Sequence, residues 1–308
     1  MVLSSASGAL RVGIINLMPR AENYERYLLR PLDRTLLAVS PVWIRLGSHR
    51  YSSSDAERIR SAYLTFDEAL ARGRLDAVVL TGAPVEELAF EEVRYWAELS
   101  EILQTCRRGV ASTLGLCWGA LALARQLGVD KALFPAKLFG VFENRHLLAD
   151  HPITGGTDDS FWCAHSRHSG ILDRDLEREQ SAGNVRLLSH GAETGYTVFE
   201  TVDHRFLMHL GHPEYEAERL VEEWKRDTAL GRTDVPRPQN LDLERPRTIW
   251  RSHCNELVTQ WLRFVAEQRP GSTAEPARGA TAEPRMNPTE SDSSSRSPRS
   301  PTPGSANS

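Results

Sequence analysis

The sequence predicts an α/β protein, a doubly wound and mostly parallel sheet flanked by helices, with a disordered tail after it. Three observations carry this. Short apolar runs recur at Val12 to Met18, Pro41 to Leu46, Leu75 to Leu80 and Val110 to Leu116. Segments of helical spacing separate them, at Tyr24 to Leu37, Ala56 to Ala71 and Phe90 to Cys106. Apolar strands alternating with helices of that length build βαβ units, which need helices on both faces of the sheet. Beyond Gln268 the composition turns to Pro, Ser, Gly, Thr and Ala. Such a segment buries too little apolar surface to offset its ordering entropy. The domain reading is therefore one α/β domain over 1–268 and a Pro/Ser-rich tail over 269–308.

The second half adds strand signals at Lys137 to Glu143, Val185 to Ser189, Tyr196 to Val202 and Phe206 to Leu210. Helical patterns follow at Glu216 to Ala229 and Glu256 to Glu267, joined by an irregular Pro- and Arg-rich stretch from Arg232 to Arg247. The formal net charge of −4 gives no electrostatic case for nucleic acid or an anionic membrane. No apolar run approaches the roughly 20 residues of a membrane helix. Cys106, Cys117, Cys163 and Cys254 show no CxxC pairing, which points to free thiols in a reduced cytoplasm. Metal-ligand spacings such as HExxH do not occur, and no Walker-type or GxGxxG loop cradles phosphates.

Chemistry concentrates at Gly115-Leu116-Cys117-Trp118-Gly119. A strand-like run ends, a cysteine follows, and a helical pattern starts at once. This is a G-x-C-x-G form of the nucleophile elbow, where flanking glycines let a strained strand-to-helix turn close. A thiol there sits at a helix N-terminus, whose dipole and free amides favour thiolate. The N–H of Trp118 is the natural first oxyanion donor, and Thr81-Gly82-Ala83-Pro84 is placed to supply a second. A thiol also needs a base, and the base a group that fixes its tautomer. His212 and Glu214 follow the last strand signal, one residue apart, with Pro213 between them. Alone, that pair reads equally as a strand-end histidine and a helix-capping acid. The order strand–Cys–helix, then strand–His-Pro-Glu, matches class I glutamine amidotransferase-like folds.

Longer stretches narrow the likeness. IINLMPRAENYERYLLRPL, LTGAPVEELAFEEVRYWAEL, STLGLCWGALAL, KLFGVFE, HSRH, GHPEYEAERLVEEWKRD and TIWRSHCNEL run in consistent order from about Val12 to Val265. Through them the chain resembles the homoserine O-acyltransferases of methionine biosynthesis. The resemblance implies an amidotransferase-like fold, acyl-CoA as co-substrate with no bound cofactor or metal, and commonly a homodimer. It implies that Cys117 carries the acyl group, with His212 as base and Glu214 as its partner. It also implies substrate contacts at Lys137, Ser166 and Arg226, with Glu223 orienting Arg226. Glu86, in GAPVEE, falls where the family tends to carry Glu in acetyl-CoA users and Gly in succinyl-CoA users. A carboxylate there crowds and repels succinyl's own, so acetyl-CoA is the expected donor.

The chain departs from the family pattern around the pocket. The usual Leu-His-Ile-Cys reads Leu114-Gly115-Leu116-Cys117, and Trp-Gly-Ala-Gln reads Trp118-Gly119-Ala120-Leu121. Phe-Glu-His reads Phe142-Glu143-Asn144, and His-Ser-Arg-His-Thr-Glu ends in Ser169-Gly170. These changes leave the trio intact and bear on the acceptor. Homoserine is the first reading, with L-serine, a succinyl donor and glutamine amidotransfer as alternatives.

Overall fold

A computed structural model of the chain describes residues 8–52 and 54–269. Nine strands form a single sheet: β1 (Leu10–Ile15), β2 (Val39–Ile44), β3 (Ala77–Leu80), β4 (Ser112–Leu116), β5 (Ala132–His146), β6 (Ser160–Gly170), β7 (Val185–Gly191), β8 (Gly195–Thr201) and β9 (Phe206–His209). Their spatial order is β2-β1-β3-β4-β9-β8-β7-β5-β6. The half from β2 to β9 is parallel, and the extension from β9 through β8, β7 and β5 to β6 is antiparallel. Inside the parallel half, β1, β3 and β4 are buried along most of their length, as a sheet covered on both faces requires, while the edge strand β2 buries only Ile44.

The helices are α1 (Ala21–Arg34), α2 (Ala56–Ala62), α3 (Phe66–Ala71), α4 (Trp96–Gly109), α5 (Trp118–Arg125), α6 (Asp173–Ser181), α7 (Ala217–Ala229) and α8 (Arg251–Glu267). Helix α1 buries Tyr24, Tyr27, Leu28, Pro31 and Leu32, the stripe of a helix with one face on the sheet. Helices α1 and α8 pack on the same face, sharing a core with Val12, Ile14, Leu114 and Leu116. No helix among the described residues is long and apolar enough to cross a membrane.

Three sequence expectations are corrected. The helix expected over Ala56 to Ala71 is two. Leu64 pairs with the strand beside it, donating to the Trp43 carbonyl at 3.0 Å and accepting from the Arg45 amide at 2.9 Å. Thr65 and Glu68 then form a capping box that restarts the helix. The helix expected from Phe90 begins as a single 3-10 turn (Phe90–Glu92), and the α-helix starts only at Trp96. Strand β6 and helix α6 lie where no element was expected. β6 buries His165, Ser166, Arg167, His168 and Ser169, so it lacks an apolar pattern. Helix α6 buries only Leu176.

The expected tail lies outside the described residues, except Arg269. That residue is tied to the body by a salt bridge to Asp76 and hydrogen bonds to the Gly8 and Ala9 carbonyls.

A buried charge network forms around Glu200, near the end of the interior strand β8. Glu200 is fully buried, and its carboxylate meets His151 Nε2 at 2.8 Å, His204 Nδ1 at 2.9 Å and Arg186 at 2.6 Å. His151 Nδ1 faces the Ile153 and Thr154 amides at 3.3 and 3.2 Å, so the ring proton sits on Nε2 and goes to Glu200. The grouping is therefore a hydrogen-bonded charge network. Burial alone would raise the Glu200 pKa, but the two histidines hold it at about 2. Its stabilisation is complete above the unfolded-state value near 4.5 and is lost as pH falls through about 2. A depression of this size is worth at most about 3 kcal/mol. Glu200→Gln should lower the thermal midpoint at pH 7, with the deficit shrinking as pH falls from 5 towards 2. A deficit independent of pH in calorimetry would contradict this account.

Candidate active site

Cys117 and His212 meet at the carboxyl ends of the neighbouring parallel strands β4 and β9. The register pairs Leu116 with His209, and the Cys117 amide donates to the His209 carbonyl at 2.8 Å. The cysteine sits at φ 50°, ψ −113°, directly before the first residue of α5. A non-glycine residue in that region is strained by about 1–3 kcal/mol and is held there only by its surroundings.

The two glycines of the motif show why the turn closes. A Cβ on Gly115 would stand 2.7 Å from backbone atoms of Gly119. One on Gly119 would run into the carbonyl oxygens of Leu80 and Thr81. Helix α5 is therefore pressed against both β4 and the end of β3. Across the turn, the Cβ position of Gly82 lies 3.5 Å from Cys117 Cβ and 3.3 Å from His212 Cε1. Gly82 thus flanks both groups, and Trp118 opens the helix, where first-turn amides lack intrahelical partners.

His212 is 3% exposed, and its Nδ1 lies 2.7 Å from Glu214 Oε1. Tyr215 stacks on the imidazole with ring centroids 4.0 Å apart. The Tyr24 hydroxyl, from α1, donates to the same Glu214 oxygen. Glu214 also borders an apolar cavity lined by Leu28, Leu32, Leu116, Leu257 and Trp261. Burial works against a charged His212, yet negative charge on Cys117 and Glu214, with hydrogen bonds to both, raises its pKa well above 6.5. The dry wall behind Glu214 strengthens that attraction.

Beside the trio lies a second buried charge cluster. Lys137, 5% exposed, donates to Asp227 at 2.9 Å and stands 3.7 Å from Glu223. The Ser166 hydroxyl donates to Glu223 Oε2, and the Tyr215 hydroxyl donates to Oε1 at 3.0 Å. Burial disfavours the Glu223 carboxylate, but Lys137, Arg219 and the Ser166 hydrogen bond hold its pKa at about 2. The cluster therefore presents fixed charges of both signs within one residue of the His212 ring. Arg226 reaches it only at second hand. Its side chain is half exposed and pairs with Asp227, on the carboxylate that also holds Lys137.

Glu86 follows the β3 loop. It faces His168 at 3.1 Å and leaves its Oε2 buried without a hydrogen-bond partner. Gly170, one of the departures from the family pattern, leaves the space that the Arg167 guanidinium and Phe134 occupy. Asn144, another, is buried and accepts from Thr194 and Thr197 at 2.8 and 2.6 Å.

Tyr24, Tyr215, Arg219, Asp227 and His168 complete this site and were missed in the sequence. Tyr215 carried a signal, since it follows Glu214 directly. Tyr24 carried none, because it meets Glu214 across 190 residues of chain.

Known proteins match this architecture. A family model described as homoserine O-succinyltransferase matches residues 4–271. A homoserine O-acetyltransferase of Petrotoga mobilis is 37% identical over 265 residues, covering 84% of each chain. One of Geobacillus kaustophilus is 36% identical over 264 residues, covering 84% of this chain and 86% of its own. Among solved structures, a glutamine amidotransferase of Thermotoga maritima aligns with TM-score 0.53 at 14% identity, over 84% of this chain and 99% of its own. A glutamine amidotransferase of Methylobacillus flagellatus gives 0.55 at 14%, over 86% and 98%. These two likenesses speak to the fold alone.

The raised His212 pKa makes the imidazole a ready acceptor for a proton from the neighbouring thiol. Iodoacetamide should alkylate Cys117 at pH 7 at least about tenfold faster in the wild type than in His212→Asn. Equal rates, followed by peptide mass spectrometry, would show that the histidine does not activate the thiol. On the family match and these close relatives, the chain belongs to the homoserine O-succinyltransferase family of acyltransferases.

Proposed function

We propose that the protein is a homoserine O-acetyltransferase of methionine biosynthesis, moving an acetyl group from acetyl-CoA to the homoserine hydroxyl through a thioester on Cys117. The observation that carries this is the strained Cys117 next to the His212–Glu214 pair, with the Lys137–Glu223 cluster alongside.

In the first half-reaction His212 takes the Cys117 proton, and the thiolate attacks the acetyl carbonyl. The amides of Trp118 and Gly82 suit the developing oxyanion. As the tetrahedral intermediate collapses, the carbon–sulfur bond to CoA breaks, and His212 returns its proton to the departing CoA thiolate. In the second half-reaction the homoserine hydroxyl gives its proton to His212 while its oxygen attacks the thioester. Collapse releases O-acetylhomoserine and the Cys117 thiolate, which recovers the proton from His212. Glu214 holds the ring so that Nδ1–H points to it and Nε2 is left for proton transfer.

The acceptor is a zwitterion, and the cluster offers both signs of charge. Lys137 and Arg226 suit its carboxylate, with Glu223 for its ammonium and Ser166 positioning Glu223. Homoserine is favoured over serine because the close relatives carry homoserine in their names. Family model and relatives name different acyl groups, so the donor reading rests on Glu86, whose carboxylate opposes that of succinyl-CoA. The enzyme in this reading works in the cytoplasm, as a homodimer, without a bound cofactor. Its four cysteines are unpaired, and none needs an oxidising compartment.

Intact-protein mass spectrometry tests the proposal. Acetyl-CoA should add one acetyl group to the wild type and none to Cys117→Ala, and homoserine should discharge it. Absence of an adduct from either acyl-CoA, with Cys117 shown to be reduced, would sink the thioester. Release of ammonia from glutamine would instead point to amidotransfer.

A further inference from the structure

A specificity built on repulsion works only if the repelling group is held in place. Glu86 lies on a loop, and a loop carboxylate free to turn into solvent would relieve its clash with a second carboxylate. The structure supplies a restraint. Glu86 Oε1 lies 3.1 Å from His168 Nδ1, and the two side chains are 13% and 11% exposed. Nδ1 faces a carboxylate oxygen, which only accepts, so this nitrogen carries a proton directed at Glu86. The other ring nitrogen is held from two sides: Arg232 Nη2 lies 3.1 Å from His168 Nε2, and Asp234 Oδ2 lies 3.3 Å from it.

Arg232 is itself anchored. Its Nε donates to Asp234 at 2.8 Å, and its two terminal nitrogens reach the Glu87 carboxylate at 3.1 and 3.3 Å. The Asp234 carbonyl accepts from the Lys137 amide at 2.9 Å, which ties this segment to β5. On the backbone side, Lys131 Nζ donates to the Glu86 carbonyl at 2.6 Å. Backbone and one carboxylate oxygen of Glu86 are thus both held, while the buried Oε2 has no partner.

We propose that His168 is a positioning residue for acyl-donor selection: its Nδ1–H pins Glu86 Oε1, so that Oε2 stays turned towards the donor's acyl chain. The proposal rests on the reading of Glu86 as the group that excludes succinyl. Arg232 and Asp234 hold the imidazole, and the segment carrying them also contacts the strand of Lys137. Donor selection and acceptor binding therefore share one strap.

The test measures kcat/KM for acetyl-CoA and for succinyl-CoA, with homoserine as acceptor. It compares the wild type with Glu86→Gly, His168→Ala, His168→Asn and the Glu86→Gly/His168→Ala double variant. Glu86→Gly should collapse the acetyl-to-succinyl ratio. His168→Ala should reduce the ratio about tenfold, mainly through a gain with succinyl-CoA, and leave the homoserine KM unchanged. In His168→Asn the amide stands where Nδ1 stood and should keep most of the wild-type ratio. The double variant should match Glu86→Gly alone. A ratio in His168→Ala within about twofold of wild type, or an equal fall with both donors, overturns the role of His168. An unchanged ratio in Glu86→Gly overturns the reading of Glu86 itself.

Discussion

Helix α5 begins so close to the ends of β3 and β4 that the backbone of Gly119 fills the space a Cβ on Gly115 would need, while Gly119 itself lies against the Leu80 carbonyl. This contact sets the position of everything else in the site. With the helix start fixed, the residue before it has to turn sharply to leave β4, and Cys117 is driven to positive φ. The same contact brings the loop after β3 against the cysteine, so Gly82 lies beside both the thiol and the imidazole. Close packing converts a backbone constraint into chemistry, because interiors have no slack to absorb a misplaced turn.

The charges follow a related logic. His212, Glu214, Lys137, Glu223 and Asp227 are all buried, and isolated ions there would be costly. Each has a partner: Glu214 meets His212 and Tyr24, and Glu223 meets Lys137, Ser166 and Tyr215. Tyr215 joins the two groups, since its ring stacks on His212 while its hydroxyl donates to Glu223. The His212–Glu214 pair and the charged cluster next to it are thus one connected network.

Much of this was legible in the sequence, for reasons that particular residues make clear. The parallel half was readable because its strands lie in mostly apolar runs, and the elbow because its glycines flank the cysteine locally. His212 and Glu214 were readable as a spaced pair. What stayed hidden was set by contacts between distant segments. β6 was missed because it buries polar residues that face the site, and a strand without apolar alternation has no periodic signature. The break at Leu64 was missed because a pairing with Trp43 and Arg45 overrode helical spacing, although the Thr65–Glu68 box was present. Tyr24 had no local mark at all.

The division of the sheet carries the last step. The parallel half carries the elbow and the histidine strand, and the fold as a whole is shared with glutamine amidotransferases at only 14% identity. A thiol, a base and an orienting carboxylate form a thioester from an amide or an acyl-CoA alike, so that half alone does not name a substrate. The residues to which the proposed function gives substrate selection lie elsewhere: Lys137 on β5, Ser166 and His168 on β6, Glu223 on α7, and the Arg232–Asp234 strap. Most sit on the antiparallel extension or on segments bound to it. In the proposed reaction, the elbow carries the acyl group and the extension selects the hydroxyl that receives it.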